Sequence, residues 1–190
     1  MQMGFFFDQS RCSGCLACVT SCQAWHTTSQ TLMNFRRVFT SETGAFPDPK
    51  VSLLSLSCCH CVKPACADVC PTNAIVKGKT DGVVTIDPAR CLGRDKCGKC
   101  RTACPWDIPQ FSGGPGAPMQ KCDFCRERLA KGEAPICVMA CPLEALDFGP
   151  IGELKKRHPG SVHCADGFAY NKRRGPCVFF KVRRFGNSPR

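Results

Sequence analysis

Cysteine constrains this chain more than any other residue type. The sequence has 19 cysteines in 190 residues, and sixteen of them form four groups of four. This composition is typical of disulfide scaffolds and of metal proteins. The odd number of cysteines, and a segment 1–8 without the pattern of a secretory signal, favour a metal protein.

The four groups differ in spacing but end alike. They follow the patterns C-x2-C-x2-C-x3-C, C-x2-C-x4-C-x3-C, C-x5-C-x2-C-x3-C and C-x2-C-x11-C-x3-C. The sixteen candidate metal ligands are Cys12, Cys15, Cys18, Cys22, Cys58, Cys61, Cys66, Cys70, Cys91, Cys97, Cys100, Cys104, Cys122, Cys125, Cys137 and Cys141.

The conventional apolar core is thin. Leu, Ile, Val and Phe make up 40 of the 190 residues, just above the roughly 20% at which chains tend to stay disordered. Bound groups must therefore help to hold the fold. The longest apolar stretches, 5–7 and 51–56, are far shorter than the ~18–20 residues that cross a bilayer, so no direct membrane span is expected.

An internal repeat surrounds the cysteine groups. Residues 5–12 match residues 84–91, and residues 70–75 match residues 141–146. The x3 spacing fits one helical turn, and the proline after three of the groups marks the exit from that turn. Each group therefore predicts a strand, a ligand loop, a short helix and a second strand.

The spacing favours iron–sulfur clusters over zinc. Three closely spaced thiolates wrap one cubic cluster, while a fourth on a helical turn points to a neighbouring cluster, as in bacterial ferredoxins. Thiolates suit zinc as well, but zinc sites usually have two C-x2-C pairs separated by a longer spacer. The alternative from another class is a zinc-stabilised interaction module whose basic tail contacts nucleic acid.

The motifs also resemble a known family. Residues 5–18, 57–71, 121–125 and 135–146 resemble the four-cluster iron–sulfur subunits of molybdenum and tungsten bis-pterin oxidoreductases of the dimethyl sulfoxide reductase type. The resemblance covers about residues 4–158. It departs from the family in the third group, where three extra residues lengthen the loop that follows its first cysteine, yet the number of ligands is kept.

The resemblance implies an α+β fold of two ferredoxin-like halves, each of the bacterial two-cluster type, with a cluster-dominated core. Residues 1–50 and 105–158 would form the first half, with cysteine groups one and four. Residues 51–104 would form an inserted second half, with groups two and three. Residues 159–190, which the resemblance does not cover, are expected from their composition to be an irregular, basic and aromatic C-terminal tail.

The resemblance also implies crossed pairing, in which each set takes three cysteines from one group and one from another. The four sets would hold four [4Fe-4S] clusters, with the sixteen cysteines as iron ligands. They are site A (Cys12, Cys15, Cys18 and Cys141), site B (Cys22, Cys122, Cys125 and Cys137), site C (Cys58, Cys61, Cys66 and Cys104) and site D (Cys70, Cys91, Cys97 and Cys100).

The function implied is electron transfer without an active site in this chain. The partner would be a molybdenum or tungsten bis-pterin catalytic subunit, accompanied in some complexes by a membrane anchor or another electron donor. An alternative is a polyferredoxin subunit that serves an aldehyde oxidoreductase, hydrogenase or formate dehydrogenase. Maturation is expected in the cytoplasm, because cluster assembly needs reduced thiols. The final location would be cytoplasmic or periplasmic within a complex, including membrane association through a partner.

The C-terminal region concentrates the net positive charge. The whole chain has a formal net charge of +11, and residues 151–190 contain ten Lys and Arg against two acidic residues. Aromatic residues lie among these charges, and both kinds are enriched at interfaces. We therefore expect the tail to dock onto an acidic patch of the catalytic subunit, and no nucleic acid to bind. Three cysteines outside the groups, Cys59, Cys164 and Cys177, are expected to be packed or free thiols.

Overall fold

The computed structural model describes residues 1–26 and 33–185. Residues 27–32 of the predicted first half, and the last five of the predicted tail, lie outside this part. The elements are β1 (Met3–Asp8), α1 (Ala17–Trp25), β2 (Arg37–Thr43), β3 (Lys50–Leu56), α2 (Ala65–Asp68), β4 (Ile75–Lys77), β5 (Val84–Ile86), α3 (Gly93–Lys96), α4 (Lys99–Ala103), α5 (Arg126–Ala130), α6 (Ile136–Met139), β6 (Leu146–Pro150), α7 (Ile151–Arg157) and β7 (Val178–Lys181).

The largest sheet joins the two ends of the chain. Its strand order is β6-β1-β7. β1 is antiparallel to β6, with Phe5 opposite Phe148, and parallel to β7, with Phe5 opposite Val178. Phe5, Phe7 and Phe180 are buried and belong to the main core cluster together with many of the cysteines. This sheet therefore supports the ligand loop that follows β1.

The prediction of an irregular tail is wrong for the segment Val178–Lys181. β7 covers an edge of β1 that would otherwise leave backbone N–H and C=O groups without partners. Phe168, Phe179 and Phe180 are buried within the chain itself. These aromatic side chains serve the core of this protein and not a surface for a partner.

Two smaller sheets complete the strands. β2 and β3 form a hairpin, from Arg37 opposite Leu56 to Thr43 opposite Lys50. The domain boundary predicted between residues 50 and 51 thus falls inside this hairpin. β4 and β5 form the third sheet, with Ile75 opposite Ile86.

Short helices place the cysteines. α1 contains Cys18 and Cys22, and α2, α4 and α6 contain Cys66, Cys100 and Cys137. The predicted order of strand, loop, helix and strand therefore holds for much of the chain. It fails after the third group and before the fourth, where a single bridge between Gln110 and Gln120 replaces the expected strands.

The extra residues of the third group form α3, a single helical turn between two candidate ligands. Gly93 begins this turn with a φ of +76°, and its Cα lies against the backbone of Gly116. The Gly116 N–H donates a hydrogen bond of 2.7 Å to Asp95. The longer loop is thus packed against the glycine-rich connector at 113–116. None of the helices in residues 1–26 and 33–185 is long and apolar enough to cross a membrane.

Candidate cluster-binding sites

Three cavities are each lined by one predicted cysteine set. The first is lined by the four cysteines of site A, together with Leu16 and Leu143. Its cysteines come from the loop after β1, from α1 and from the segment after α6. The structure therefore brings together cysteines from the first and fourth groups, as the predicted crossed pairing requires.

The cavities at sites C and D show the same crossing. One is lined by the four cysteines of site C, together with Cys59, Trp106 and Lys121. Another is lined by the four cysteines of site D, together with Leu92 and Met119. Each combines cysteines from the second and third groups. The other lining residues are largely apolar.

Site B is the most deeply buried set. All four of its cysteines are buried, and helices α1 and α6, which carry two of them, pack against each other. Burial raises the pKa of Cys22 to about 12, and Cys137 and Cys125 add to this shift. The Cys122 thiol has a raised pKa through burial and the nearby Cys22 and Cys137 thiols, among others. The four thiols therefore lie close to one another.

The Cys-Pro repeat forms one local structure three times. In each copy the residue three positions after the cysteine is left-handed, with φ of 50°, 48° and 49° at Asn73, Asp107 and Glu144. In two copies the next N–H donates to the cysteine sulfur, from Ala74 to Cys70 at 3.3 Å and from Ala145 to Cys141 at 3.2 Å. In the remaining copy, burial raises the pKa of Cys104, and hydrogen bonds from the backbone of Ile108 and Trp106 oppose this shift.

These N–H groups fit a thiolate ligand. Burial acts to raise the pKa of Cys70, but hydrogen bonds from the backbone of Ile75, Ala74 and Thr72 and from the Thr72 hydroxyl outweigh it, so the pKa is lowered. Hydrogen bonds to the charged form of an acid favour that form. Sets of four cysteines, largely apolar surroundings and N–H groups directed at cysteine sulfurs together fit cubic iron–sulfur clusters.

The influence of thiols on one another's pKa indicates which sets are neighbours: A with B, B with C, and C with D. Burial is the largest cause of the raised pKa at one thiol in each of sites A, B and C, and a cysteine of the next site adds to it. The contributing pairs are Cys18 with Cys137, Cys122 with Cys58, and Cys66 with Cys100. Charges raise the pKa of a like group in this way only over short distances.

One buried residue near these sets was missed by the sequence analysis. Arg36 is only 2% exposed and donates hydrogen bonds to Ser55 and Ser57. It lies beside the cysteines of sites A and B. No sequence pattern predicts a buried arginine here. The adjacent Phe35 is buried as well, so buried and exposed residues do not alternate at this point of the chain.

The cysteines outside the four groups have different environments. Cys59 and Cys177 are buried, and the Cys177 N–H donates to the Cys59 carbonyl at 2.9 Å. Cys164 is exposed. The expectation of packed or free thiols agrees with these positions.

Comparison with known proteins identifies the class. Cysteine sets that line cavities and are carried by short helices are typical of a multi-cluster iron–sulfur protein. Residues 49–151 and residues 11–75 match two families that are both described as 4Fe-4S dicluster domains. Iron–sulfur chemistry is thereby favoured over the zinc alternative.

Curated relatives define the class more closely. The sequence is 42% identical over 165 residues to the B subunit of anaerobic dimethyl sulfoxide reductase from Escherichia coli, covering 83% of this protein and 78% of the relative. Identity to the corresponding B subunit from Haemophilus influenzae is 41% over 166 residues, with the same coverage. Protein NrfC of Escherichia coli is 35% identical over 154 residues, covering 80% and 67%.

This protein belongs to the family of iron–sulfur electron-transfer subunits that includes the dimethyl sulfoxide reductase B subunit. It is therefore an electron-transfer protein that carries four [4Fe-4S] clusters.

Proposed function

We propose that this chain relays single electrons along sites A, B, C and D, between a molybdenum or tungsten bis-pterin catalytic subunit and a second redox partner. When bound, each cluster accepts and releases one electron. The proposal is supported by the proximity of neighbouring sets. At each step from A to D, a cysteine of one set raises the pKa of a cysteine in the set before it. The higher identity to the dimethyl sulfoxide reductase B subunit than to NrfC favours a catalytic partner of the former kind.

The ends of the series are the proposed points of electron entry and exit. At site A, Cys15 is exposed and Leu16 and Leu143 line the cavity near solvent. At site D, Leu92 likewise lines the cavity, and it is 41% exposed. Site B, in contrast, has only buried cysteines. A partner that covered the leucines at either end would approach a cluster closely.

We further propose two ferredoxin-like halves, with groups one and four in one and groups two and three in the other. The β2–β3 hairpin belongs to the first half in this proposal, which moves the boundary from residue 51 to about residue 57.

The relay is tested by isolating the complex under anaerobic conditions. We expect about 16 iron and about 16 acid-labile sulfide per chain, and a co-purifying chain that contains molybdenum or tungsten. Reduced chain should be reoxidised by that partner in the presence of its substrate. Zinc in place of iron, or co-purification with a hydrogenase or another catalytic chain that holds neither molybdenum nor tungsten, would contradict the proposal.

The docking role of residues 159–190 stays a proposal, restricted to the exposed basic side chains. Lys172 and Arg173 are exposed, whereas the aromatic residues Phe179 and Phe180 are buried. Reversing both charges, in Lys172→Glu with Arg173→Glu, should weaken co-purification with the catalytic subunit and make it less sensitive to salt. Lys79→Glu, also at an exposed lysine, is the control. Full recovery of the partner by the double variant would exclude this surface.

A further inference from the structure

The arginine buried between two cysteine sets has no assigned role. We infer that the guanidinium of Arg36 is a counter-charge shared by the clusters of sites A and B, and that it raises the reduction potentials of both. This inference rests on the proposed ligand sets.

The surroundings of Arg36 supply polar partners but no carboxylate. Its Nη1 and Nη2 donate to the hydroxyls of Ser55 and Ser57 at 3.1 and 3.0 Å. Its Cζ lies 4.9 Å from the centroid of the Phe5 ring. The ion pairs found in residues 1–26 and 33–185 do not include Arg36. Residues 27–32 contain no acidic side chain.

A buried arginine without a carboxylate needs negative charge from another source. Guanidinium does not lose its proton in proteins, and a buried charge without compensation is strongly destabilising. The Arg36 side chain lies next to the Cys137 thiol, and the Cys18 and Cys122 thiols are also nearby. These cysteines belong to sites A and B. In the oxidised state each complete site has a net charge of about −2, because four thiolates surround a core of about +2.

Ser55 connects the arginine to a ligand of site A. Guanidinium only donates, so the Ser55 oxygen accepts from Arg36. The Ser55 oxygen also lies 3.6 Å from the Cys18 sulfur, and a Cys18 thiolate that held iron would accept a hydrogen bond from the Ser55 hydroxyl. Hydrogen bonds to ligand sulfurs and nearby positive charge both tune cluster potentials. Arg36 therefore acts on site A directly and through Ser55, and on site B directly.

The test compares reduction potentials in chains loaded with all four clusters. In Arg36→Gln, two of the four midpoint potentials, measured by redox titration with EPR detection, should fall and the other two should not. We expect about a tenfold fall in the ratio of reduced to oxidised cluster at a fixed potential, or about 59 mV for one electron. The control is Arg37→Gln, because Arg37 bonds to the carbonyls of Trp106 and Asp107. Arg37→Gln should leave unchanged the two midpoint potentials that fall in Arg36→Gln.

Two further variants separate charge from packing. Arg36→Lys keeps the charge and should keep all four potentials near those of the unmodified chain. Ser55→Ala removes the hydrogen bond to Cys18 and the one that Ser55 accepts from Arg36, but it keeps the positive charge of Arg36. It should lower only one potential, that of site A. If Arg36→Gln fails to hold its clusters, Arg36→Lys decides: unchanged potentials support the inference, and loss of iron there too would assign Arg36 to packing and overturn it.

Other results would also overturn the inference. These are unchanged potentials in Arg36→Gln with full iron content, an equal fall in all four potentials, or the same fall in Arg36→Lys as in Arg36→Gln. An unmodified chain that holds fewer than four clusters would instead contradict the proposed function, so the two failures are distinguishable by iron analysis.

Discussion

Cys141 is far in sequence from the three cysteines with which it lines a cavity. Replacing it with serine should perturb the EPR signal of the cluster at site A, because in the proposed pairing a ligand from the fourth group completes that site. The exposed Cys164 is the matched control, and Cys164→Ser should leave about 16 iron per chain. If Cys141→Ser changed only the signal of site B, the crossed pairing would be incorrect.

Gly93 occupies a position that excludes other residues. It has a φ of +76°, and an added Cβ would lie 2.8 Å from the carbonyl carbon and oxygen of Gly116. Left-handed strain costs about 1–3 kcal/mol, and the contact with backbone adds to it. Gly93→Ala should therefore reduce occupancy at site D, seen as a loss of about 4 of 16 iron. Gly114→Ala, where a Cβ meets nothing within 4 Å, should keep full iron content; equal losses in both variants would argue against this explanation.

The residues of the cluster sites differ in how readily they can be predicted from sequence. The sixteen candidate ligands could be selected from the sequence by their spacing, whereas their assignment to four sets came from the resemblance to a family. Arg36 could not be predicted in this way, since its role depends on contacts with segments distant in sequence. The left-handed conformation in the Cys-Pro turns could not be predicted from sequence either, because glutamate, the residue type at Glu144, does not favour it.

At the scale of elements, local repeats were predictable and distant pairings were not. The matching segments before Cys12 and Cys91 do form strands β1 and β5, and those after Cys70 and Cys141 lead into β4 and β6. β7 was missed because its partner, β1, lies at the other end of the chain. The basic residues around it also resemble a solvated tail.

The burial of β7 gives a prediction about stability. Phe180 is fully buried, and its ring lies 5.0 Å from that of Phe168. Truncating a buried phenylalanine costs about 3–5 kcal/mol, so Phe180→Ala should lower the temperature at which the visible absorbance of the clusters is lost. Phe46→Ala is the control, since Phe46 is 94% exposed. An unchanged transition in Phe180→Ala would mean that β7 contributes little to the fold.

At the scale of the whole molecule, the clusters and the positive charge are complementary. The formal charge of the chain is +11, while sixteen thiolates around four oxidised cores add about −8. The main core cluster of buried side chains includes cysteines from sites A, B and C. Iron and sulfide therefore replace apolar side chains as the material at the centre of the fold, and they neutralise much of its charge.

Removal of iron should consequently unfold much of the chain. Without the clusters, buried thiols such as Cys22, whose pKa burial raises to about 12, would be neutral and would line empty cavities. The net charge would also return to its full positive value. We expect anaerobic iron chelation to abolish the cooperative thermal transition and most helical circular dichroism. Readdition of iron and sulfide with a reductant should restore both, whereas zinc should not. An iron-free chain that kept a native-like spectrum and transition would show that side-chain packing alone holds the fold.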